Sequence, residues 1–486
     1  MVVVENYEWA VADEFVGRGD ELARLERWWK APVHAGGINL FGRRRVGKSW
    51  LFRRFANGKP AVILVATAAT PTQQLSLLAE QLAPHLGVRP QMQSLDDLFQ
   101  IVFHLGAAQQ ILVVLDELPY LLGTSSNKIR ANLSMIQTAI EKYRDGSHTK
   151  LLICGSSVAQ MEDLQQERSP LHGRFQSLEL QPMPFSEARL LMAGSDPIDQ
   201  FTRFAIAGGM PLYLEMLGQG ALETAIAEVI VERTAPLFNE PQTALSTELV
   251  QPSTYMSILD ALALRPANSE VLRTATGLDA TALQPYLRKL GAMRIVRMRR
   301  PAGAFEKSRV AQWECSDHFF RFWFRFVKRY QDELEAGASA TRYVTNHVLP
   351  LLAEHTSIVF EQEVRRWIRA QYPESAIVGA WWGNALDAER RSGRRTTEEI
   401  DAVGLKDRQV VVVGEAKWRN RTTEVGVLSD IMNFKIPAMS QGGLRTASGM
   451  KIIIVSRSGF DARLMMAARE ADNVHLVPAS RVLDLA

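Results

Sequence analysis

The feature that most constrains the fold is the segment Gly42–Ser49, whose sequence is GRRRVGKS. It follows the apolar run Ile38–Phe41 and precedes the helical pattern Trp50–Phe55. Glycines at both ends of such a turn allow successive backbone N–H groups to point inward, where they can surround phosphate oxygens. The order of strand, glycine-rich turn and helix therefore predicts a phosphate-binding loop at the end of a buried strand.

The residues of this loop have separate predicted roles. Lys48 would reach the β- and γ-phosphates of a nucleotide, and the Ser49 hydroxyl is a predicted Mg²⁺ ligand. The amino end of the following helix adds a partial positive charge. The loop therefore predicts that ATP and Mg²⁺ bind here. The residues expected to surround the phosphates through their backbone are Gly42, Arg45, Val46 and Gly47.

A second apolar run, Ile111–Leu115, ends in the acidic pair Asp116 and Glu117. Asp116 is a predicted ligand of Mg²⁺ or of its water shell, and Glu117 is the predicted general base that orients the attacking water. An apolar run that ends in two acids is common by itself. It indicates a nucleotide site only in combination with the phosphate loop. Together they predict ATP hydrolysis, which depends on Glu117.

Short apolar runs alternate with amphipathic helical patterns in the first part of the chain. Such alternation predicts an α/β fold in which helices cover a parallel sheet. After about residue 185 the pattern becomes helical. The predicted strands are Ile38–Phe41, Ala61–Ala66, Ile111–Leu115 and Leu151–Gly155, and the clearest predicted helices are Gln73–Leu86 and Ile129–Tyr143.

Three shorter segments accompany the loop. Val16-Gly17-Arg18 precedes it, and Gly155-Ser156-Ser157 follows the fourth predicted strand, where a polar side chain could sense the γ-phosphate. Arg174 could present its guanidinium to a nucleotide of the same chain or, in a homo-oligomer, of a neighbouring subunit. Each segment is also common in purely structural settings.

This ordered series, together with Gly209-Met210-Pro211, resembles the archaeal-type ATPase family. That family belongs to the STAND-like branch of P-loop NTPases, which are relatives of AAA+ proteins. The resemblance covers roughly the first half of the chain. It implies an adenine pocket that uses Arg18, Gly209 and Pro211, and an ATPase that acts as a switch.

The middle of the chain predicts three short helices between Tyr255 and Leu290, followed by strand-like pieces near Arg294–Arg299 and Arg309–Glu314. Three helices and a hairpin are the outline of a winged helix-turn-helix. Its basic residues would contact DNA phosphates, or they would be the surface charge of a module that only packs against the ATPase. These residues are Arg288, Lys289, Arg294, Arg297, Arg299 and Arg300.

An aromatic run, Ser316–Val327, follows the predicted hairpin. Its aromatic residues recur at helical spacing, which is more typical of a core helix than of a base-stacking surface. The run resembles the segment that joins the ATPase half of the family to its C-terminal domain. We interpret it as a structural hinge in which His318 is packed or caps the helix.

The last third contains a group of carboxylates with a lysine. Asp401 lies at the start of one predicted strand, and a second strand leads into Glu415-Ala416-Lys417. Strand periodicity places Glu415 and Lys417 on one face, and a hairpin between the strands would bring Asp401 near Glu415. Two carboxylates can hold Mg²⁺ or Mn²⁺, and Lys417 can stabilise the attacking hydroxide or the developing charge. The group predicts metal-assisted cleavage of phosphodiesters.

An acid on the predicted helix Leu351–Ala370 would complete this metal site, with Glu361 preferred over Glu363. The ordered set resembles the PD-(D/E)XK nuclease core, a restriction-endonuclease-like α/β fold, although Ile400 stands where the motif's name has proline. The archaeal-type ATPases carry such a domain at this position. A strand with alternating charge and no catalytic role remains the alternative, and a nuclease-like fold does not by itself establish cleavage.

Composition narrows the remaining choices. The chain has 486 residues, of which 47% are hydrophobic and 22% charged, as in an ordinary globular protein. The formal charge of +3 gives no overall preference for polyanions, so local basic runs must supply any such contact. Cys154 and Cys315 are expected to be reduced core residues, and the absence of a long apolar run predicts a cytoplasmic protein without a membrane span.

These observations predict a P-loop ATPase (1–205), a helical lid (206–250), a winged helix with the aromatic hinge (251–330) and a nuclease-like domain (340–486). The favoured function is an ATP-regulated DNA-processing protein whose C-terminal domain cuts DNA with Mg²⁺. The main alternative is an ATP-switched module that binds DNA or a protein without cutting. A motor ATPase such as a helicase loader ranks last, because no helicase motif accompanies the nucleotide site.

Overall fold

The computed structural model describes residues 4–32, 36–194, 196–249, 251–304 and 310–484. The chain forms two compact units, one made of residues 1–183 and 210–212 and the other of residues 184–209 and 213–486. The second unit contains most of the predicted helical lid and all of the segments predicted as winged helix and nuclease-like domain. The divisions predicted among those three segments stay predictions.

The first unit is built on a parallel sheet with the strand order β2-β3-β4-β1-β5. The strands are β1 (Gly37–Phe41), β2 (Ala61–Val65), β3 (Ile111–Asp116), β4 (Thr149–Gly155) and β5 (Phe175–Glu179). The helices are α1 (Gly19–Lys30), α2 (Lys48–Ala56), α3 (Pro71–Leu86), α4 (Leu95–Leu105), α5 (Pro119–Leu122), α6 (Ser126–Tyr143) and α7 (Val158–Asp163). The parallel α/β prediction for this part of the chain is confirmed.

Strand β5 is not among the predicted strands. Its core-facing residues are Phe175 and Leu178, and the polar residues between them are exposed, so no apolar run marks it in the sequence. The other strands are almost continuously buried, which is why their apolar runs are visible in the sequence. Local signals also explain helix ends. Thr70 and Gln73 form a reciprocal capping box at the start of α3, and Gly87 ends it in a left-handed conformation with φ of 70°.

Except for the first two residues of one helix, Pro211 and Leu212, which are part of the first unit, the remaining elements belong to the second unit. Its helices are α8 (Phe185–Ala188), α9 (Pro197–Ala207), α10 (Pro211–Leu217), α11 (Leu222–Ile226), α12 (Glu240–Glu248), α13 (Pro252–Leu264), α14 (Ser269–Thr276), α15 (Ala280–Ala292), α16 (His318–Phe326), α17 (Gln331–Glu335), α18 (Ala340–Tyr343), α19 (Leu349–Gln371), α20 (Asp387–Arg391), α21 (Gly426–Asp430), α22 (Ile436–Gln441), α23 (Ala462–Glu470) and α24 (Ala479–Asp484). Its strands are β6 (Val296–Arg299), β7 (Gln312–Cys315), β8 (Ile377–Asn384), β9 (Thr397–Lys406), β10 (Gln409–Lys417), β11 (Arg445–Ser456) and β12 (Val474–Pro478).

Helices α13 to α15 are followed by the antiparallel ribbon β6–β7, as the sequence predicted. The second strand is shorter than expected, and Arg309, where we placed its start, lies outside the described residues. Helix α16 is buried along its whole length, which confirms the expectation of a core helix. The side chain of Asp317 caps its amino end, so His318 is a packed residue rather than the cap.

The C-terminal sheet has the strand order β12-β11-β10-β9-β8 and is mixed. The pairs β8–β9 and β9–β10 are antiparallel, whereas β10–β11 and β11–β12 are parallel. Asp407 and Arg408 connect β9 to β10 with φ of 49° and 64°, the left-handed values that a type I′ hairpin turn requires at both positions. Helix α19 packs against β8, β9 and β10.

The ribbon β6–β7 is attached to the edge of this sheet. The backbone N–H of Ala302 donates to the carbonyl oxygen of Ala380 on β8 at 2.8 Å, and Trp382 Nε1 donates to the carbonyl of Val310 at 3.1 Å. The guanidinium of Arg299 lies 4.3 Å from the centre of the Trp382 ring. The ribbon therefore has a packing role within the second unit.

Two further expectations concern cysteines and membrane spans. Cys154 and Cys315 are both free and buried, as predicted. Among the described residues, no helix combines the length and the apolar character needed to cross a bilayer.

Candidate functional site

The phosphate loop joins the carboxyl end of β1 to the amino end of α2. Lys48 is 6% exposed, and its ammonium donates to the carbonyl oxygens of Gly42 at 2.8 Å and Arg43 at 2.9 Å. Burial lowers the pKa of Lys48, while Cys154, Glu117 and Asp116 oppose that shift. The loop therefore holds its lysine in place through its own backbone.

Glycine is required at both ends of this loop. A side chain at Gly42 would approach the carbonyl oxygen of Leu180 to 2.5 Å, and the backbone there has φ of 157°. Gly47 and Arg45 both adopt left-handed conformations, with φ of 97° and 65°. Such alternation turns successive N–H groups to one side of the chain, which suits an anion. Ser49 is exposed in the first turn of α2, as a metal ligand needs to be.

Asp116 ends β3 at the same edge of the sheet, because all five strands are parallel. Its carboxylate is buried and accepts a hydrogen bond from the N–H of Glu117 at 3.0 Å. The thiol of Cys154 on the neighbouring strand β4 lies close to the Asp116 carboxylate. Burial raises the pKa of Asp116, and burial raises the pKa of the Cys154 thiol. The cysteine is therefore a neutral thiol beside Asp116, and no local feature of the sequence connects it with this site.

Glu117 adopts a left-handed conformation with φ of 54°, which turns its side chain away from the direction of β3. Its carboxylate accepts a hydrogen bond from the backbone N–H of Ser156 at 3.3 Å and another from the Ser156 hydroxyl. Ser156 thus orients the predicted general base. The γ-phosphate-sensing role of this segment stays a prediction.

Arg18 is buried, and its guanidinium donates to the carbonyl oxygen of Val46 at 3.0 Å and to Glu21 at 3.1 Å. Arg18 thus contacts the phosphate loop itself. Pro211 also lies near the loop, since a side chain at Gly47 would come within 3.6 Å of its ring. The adenine-binding roles of Arg18, Gly209 and Pro211 stay predictions.

Arg174 lies at the other edge of the sheet. Its carbonyl oxygen accepts a hydrogen bond from Gly37 at 3.0 Å, and Gly37 begins β1, whereas the phosphate loop follows the end of that strand. The Arg174 side chain forms an ion pair with Glu141 on α6. The structure therefore does not bring Arg174 to the loop of its own chain. A role at the nucleotide of a neighbouring subunit stays a prediction.

In the second unit, the hairpin β9–β10 brings Asp401 and Glu415 together, as predicted. One carboxylate oxygen of Asp401 accepts a hydrogen bond from the N–H of Ala416 at 2.8 Å. Glu415 is 2% exposed, and its Oε1 accepts from the Lys417 ammonium at 2.5 Å. Burial and the neighbouring Glu415 raise the pKa of Asp401 to about 6. The strand periodicity that placed Glu415 and Lys417 on one face is confirmed.

A second lysine, which the sequence did not indicate, reaches the same carboxylate. The Lys435 ammonium donates to Glu415 Oε1 at 2.6 Å. Lys435 ends the wide helical turn Ile431–Lys435 between α21 and α22 and lies twenty residues from Glu415 in the chain. Glu415 Oε2 is buried and has no hydrogen-bond partner among the described residues. No short motif could have revealed this contact.

Helix α19 contributes Glu361 to the same region, and burial and the charge of Asp401 raise the pKa of Glu361 well above its usual value. Arg365, one turn later, donates to the carbonyl oxygen of Asp401 at 2.5 Å and lies 3.9 Å from the Glu361 carboxylate. Glu363 instead forms two hydrogen bonds of 2.7 Å with Arg366. The preference for Glu361 over Glu363 is thus consistent with the geometry.

The predicted metal ligands do not form a ready-made set. Within the described part of the chain, no three His, Cys, Asp or Glu side chains are grouped closely enough to hold one ion. Glu415 is instead turned toward two lysines. The residues nevertheless fit a cation, because Glu415 Oε2 is a buried oxygen without a donor and Asp401 and Glu361 repel each other.

A cavity of about 650 Å³ opens over this region. Glu361, Asp401 and Lys417 lie in its lining, together with Arg419 and Arg421 from the segment after β10. The two carboxylates that would bind a metal ion and the lysine that would bind a phosphate therefore line the same cavity. We refer to it as the acid-lined cavity.

The basic residues of the predicted winged helix are partly engaged elsewhere. Arg297 pairs with Glu314 at 2.5 Å, and Arg299 pairs with Glu399 at 3.0 Å. Arg288 and Arg300 are exposed. DNA contact through the ribbon stays a prediction, and Arg297 and Arg299 already serve the packing of the ribbon.

These features define the class of the first unit, a parallel-sheet P-loop ATPase domain. Residues 36–189 match the family described as AAA domain. A solved structure, the Walker-type ATPase of Pyrococcus abyssi, aligns with a TM-score of 0.51 and 20% sequence identity over 64% of this chain and 97% of that chain. At this identity the likeness shows the fold alone. Fold, loop geometry and family match agree on an AAA-type domain that binds ATP.

Residues 323–427 match a family described as "Archaea bacterial proteins of unknown function". This segment contains Glu361, Asp401, Glu415 and Lys417. An uncharacterized protein of Methanocaldococcus jannaschii is 23% identical over 412 residues, which are 84% of this chain and 88% of that protein. The ORC2 protein of Aeropyrum pernix aligns at a TM-score of 0.44 and 17% identity over 69% of this chain and 97% of its own, a likeness too distant to carry an argument.

Proposed function

We propose that this protein is an ATP-hydrolysing switch whose C-terminal domain cleaves DNA with Mg²⁺ or Mn²⁺. The observation that carries the proposal is the convergence of Glu361, Asp401 and Lys417 on the acid-lined cavity. Helix α19 and the two strands of the hairpin β9–β10 deliver these residues to one place, which a strand with merely alternating charge would not require. The PD-(D/E)XK resemblance points to the same chemistry.

Hydrolysis of ATP would use Glu117 as the general base. The two hydrogen bonds from Ser156 fix its carboxylate, which would accept a proton from the water that attacks the γ-phosphate. Lys48 would exchange its bonds to the loop carbonyls for bonds to the β- and γ-phosphates. Mg²⁺ held by Ser49 and Asp116 would offset the phosphate charge.

Cleavage of DNA would use the side chains around Asp401. A divalent cation bound by Asp401, Glu415 and Glu361 would acidify a water molecule and offset charge on the phosphate. Lys417, with its ammonium beside Glu415, would donate to the nucleophile or to the phosphate oxygens. Because Lys417 and Lys435 now occupy Oε1 of Glu415, binding of the cation requires the carboxylate to exchange partners or to use Oε2.

The switch would work by a shift between arrangements of the domains. ATP can favour one arrangement only if its γ-phosphate contacts one arrangement better than another. The candidate for a γ-phosphate contact is Arg174 of a neighbouring subunit in a homo-oligomer, while Arg18, Gly209 and Pro211 would hold the adenine. DNA is the proposed partner.

A second candidate is an ATP-switched module that binds DNA without cutting it. Its specific support is the state of Glu415, whose Oε1 accepts from two ammonium groups, so that a metal ligand is engaged in a lysine pair. Such a site would bind phosphate through its cations and leave the phosphodiester intact.

The deciding experiment is an assay of plasmid and linear DNA cleavage with Mg²⁺ or Mn²⁺, with and without ATP. Wild type, Lys417→Ala and Lys48→Ala are compared at equal concentration, with Lys406→Ala as a matched control that removes an exposed lysine at the far end of β9. The proposal expects cleavage by wild type and Lys406→Ala and its loss in Lys417→Ala.

A changed response to ATP in Lys48→Ala would show that the nucleotide controls cleavage. If wild type binds ATP but cuts neither DNA under any of these conditions, the nuclease proposal is wrong. The non-cutting module then becomes the leading function.

A further inference from the structure

A second cavity, of about 320 Å³, adjoins the carboxylate group on the side of Lys435. Glu415 and Lys435 line it, and we call it the lysine-lined cavity. Lys417, Arg419 and Arg421 line both this cavity and the acid-lined one. Three cations thus form a common wall between the predicted cleavage site and a neighbouring space.

The lining of this cavity carries a surplus of positive charge, four cations (Lys417, Arg419, Arg421 and Lys435) against three carboxylates (Glu415, Glu424 and Asp430). One oxygen of Glu415 accepts from both Lys417 and Lys435, and Asp401, which lies outside this lining, offsets part of the charge of the same two lysines. Each ammonium has three donors, and Glu415 takes one of each among the described residues. The pair can therefore hold a further anion without either lysine giving up Glu415.

The other carboxylates of this cavity weaken that surplus only in part. Asp430 is engaged by Arg395, whose guanidinium donates to it at 2.9 Å and to Glu398 at 3.1 Å. Glu424 is exposed, and so are Arg419 and Arg421, which oppose it with two charges. The lining therefore favours an anion over a cation.

The backbone at Lys435 is locally irregular, as it also is at Ala227–Val231 and Val344–Val348. Lys435 ends the wide turn Ile431–Lys435, a local widening of the helix that is frequent at functional sites. Met432 and Asn433 of this turn are exposed, whereas Phe434 and Lys435 are partly buried, with the Lys435 side chain against Glu415. Ordering a long lysine chain in this way has an entropic cost, which suits a residue that must be held ready for a ligand.

We propose that the lysine-lined cavity is a nucleic-acid phosphate site, in which Lys435 binds a backbone phosphate beside the one that faces Asp401. The inference rests on the proposed function and deepens it, since it names a second contact for the same DNA strand. Arg419 and Arg421, which line both cavities, would bridge the two phosphates. Lys435 would then contribute mainly to DNA binding and Lys417 mainly to cleavage.

The test measures binding of a duplex DNA oligonucleotide at several salt concentrations, with Ca²⁺ in place of Mg²⁺ so that binding is measured apart from cleavage. Loss of one phosphate contact should lower the slope of log K against log salt by about 0.9. Lys435→Ala should therefore weaken binding about eightfold at about 0.1 M salt. Lys406→Ala, which removes an exposed lysine from the same domain, should leave the slope unchanged.

Two more variants distinguish two roles of Lys435, a direct contact with a DNA phosphate and a hydrogen bond that only holds Glu415 in place. Lys435→Gln keeps a hydrogen-bond donor for Glu415 without the charge, and Lys435→Arg keeps the charge. A phosphate contact requires Lys435→Gln to bind DNA as weakly as Lys435→Ala and Lys435→Arg to recover most of the affinity. Support of Glu415 alone would make Lys435→Gln equal to wild type in slope and affinity.

Reduced slopes in Lys435→Ala and Lys435→Gln support the inference even if wild type fails to cut DNA in the cleavage assay. Unchanged slopes, with wild-type binding intact, overturn it and leave the cleavage proposal to its own assay. Absence of DNA binding by wild type overturns it as well.

Discussion

The two candidate sites are built on different principles. The phosphate loop is a continuous segment in which main-chain groups position the functional side chain. The carbonyl oxygens of Gly42 and Arg43 accept hydrogen bonds from the Lys48 ammonium. The carboxylate site is assembled from side chains on α19, β9, β10 and the wide turn that ends at Lys435. One site is local in the sequence, and the other exists only after folding.

This difference also affects electrostatics. In the nucleotide site, the side chains of Lys48 and Glu117 have separate hydrogen-bond partners, the loop carbonyls and Ser156, so the side chain of either can be changed without removing a partner of the other. At the carboxylate site, Glu415 serves two lysines and its charge raises the pKa of Asp401. Substitutions there are expected to be strongly coupled, as they are for residues in one charge network.

The largest expected effect belongs to Lys48, because its ammonium is buried within the loop whereas Arg44 and Arg45 are exposed. Lys48→Ala should reduce ATP turnover by about a thousandfold, the lower end of the range for removing one cationic group from a phosphoryl-transfer site. Steady-state phosphate release measures this loss, and Lys128→Ala, at an exposed position of α6, is the matched control. A loss of ATP turnover below tenfold would contradict the prediction that Lys48 is the main cation that binds the phosphates.

Glu117→Gln should come next, with ATP turnover reduced about a hundredfold because the general base is removed. The amide keeps the size of the side chain, and nucleotide affinity should therefore stay within about threefold of wild type. Phosphate release and a fluorescent-nucleotide titration measure the two quantities. A parallel loss of affinity would mean that Glu117 holds the nucleotide rather than activating water.

The carboxylate site should respond to pH. Asp401 has a pKa raised to about 6, so below that value a metal ion must displace a proton, whereas above it the carboxylate is already ionised. Mn²⁺ affinity should then fall by up to about tenfold per pH unit between about pH 6 and about pH 5 and level off above about pH 7. Calorimetric titration of Mn²⁺ measures this dependence without DNA.

Asp401→Asn is the control for that dependence. It should bind Mn²⁺ more weakly at high pH and with little change across the same range, because the group that titrates is gone. A pH dependence that persists unchanged in this variant would assign the proton to another group, with Glu361 the first to test.

Arg174 should give the smallest effect. Its side chain pairs with Glu141 at the edge of the sheet away from the loop, so Arg174→Ala should change the ATP turnover of dilute protein by less than about twofold. Measuring turnover over a range of protein concentrations tests the remaining alternative. A deficit that grows with concentration would show that Arg174 acts on a neighbouring subunit.

The two regions also differ in how far the sequence predicts them. The phosphate loop, Asp116 and Glu117 could be predicted because each follows a buried apolar strand and the required residues are adjacent. Asp401, Glu415 and Lys417 could be predicted because strand periodicity and a short hairpin determine their neighbours. In both cases the chemistry and the local geometry depend on the same few residues.

The missed features have no such local signal. Lys435 reaches Glu415 across twenty residues and an irregular turn, and Cys154 meets Asp116 only because β3 and β4 are adjacent. Arg365 is the exception, since its spacing of four residues from Glu361 could have suggested a shared helix face. The location of Arg174 depended on β5, whose weak apolar pattern hid the strand.

The attachment of the ribbon to β8 has a consequence for solubility. β8 is the outermost strand of its sheet, and an uncovered outer strand offers main-chain groups with which another molecule can pair. The bond between Ala302 and Ala380, with that between Val310 and Trp382, occupies part of this rim. Shortening or releasing the ribbon would therefore expose the edge of β8 to pairing with a strand of another molecule. The protein would then aggregate before the sheet itself unfolds.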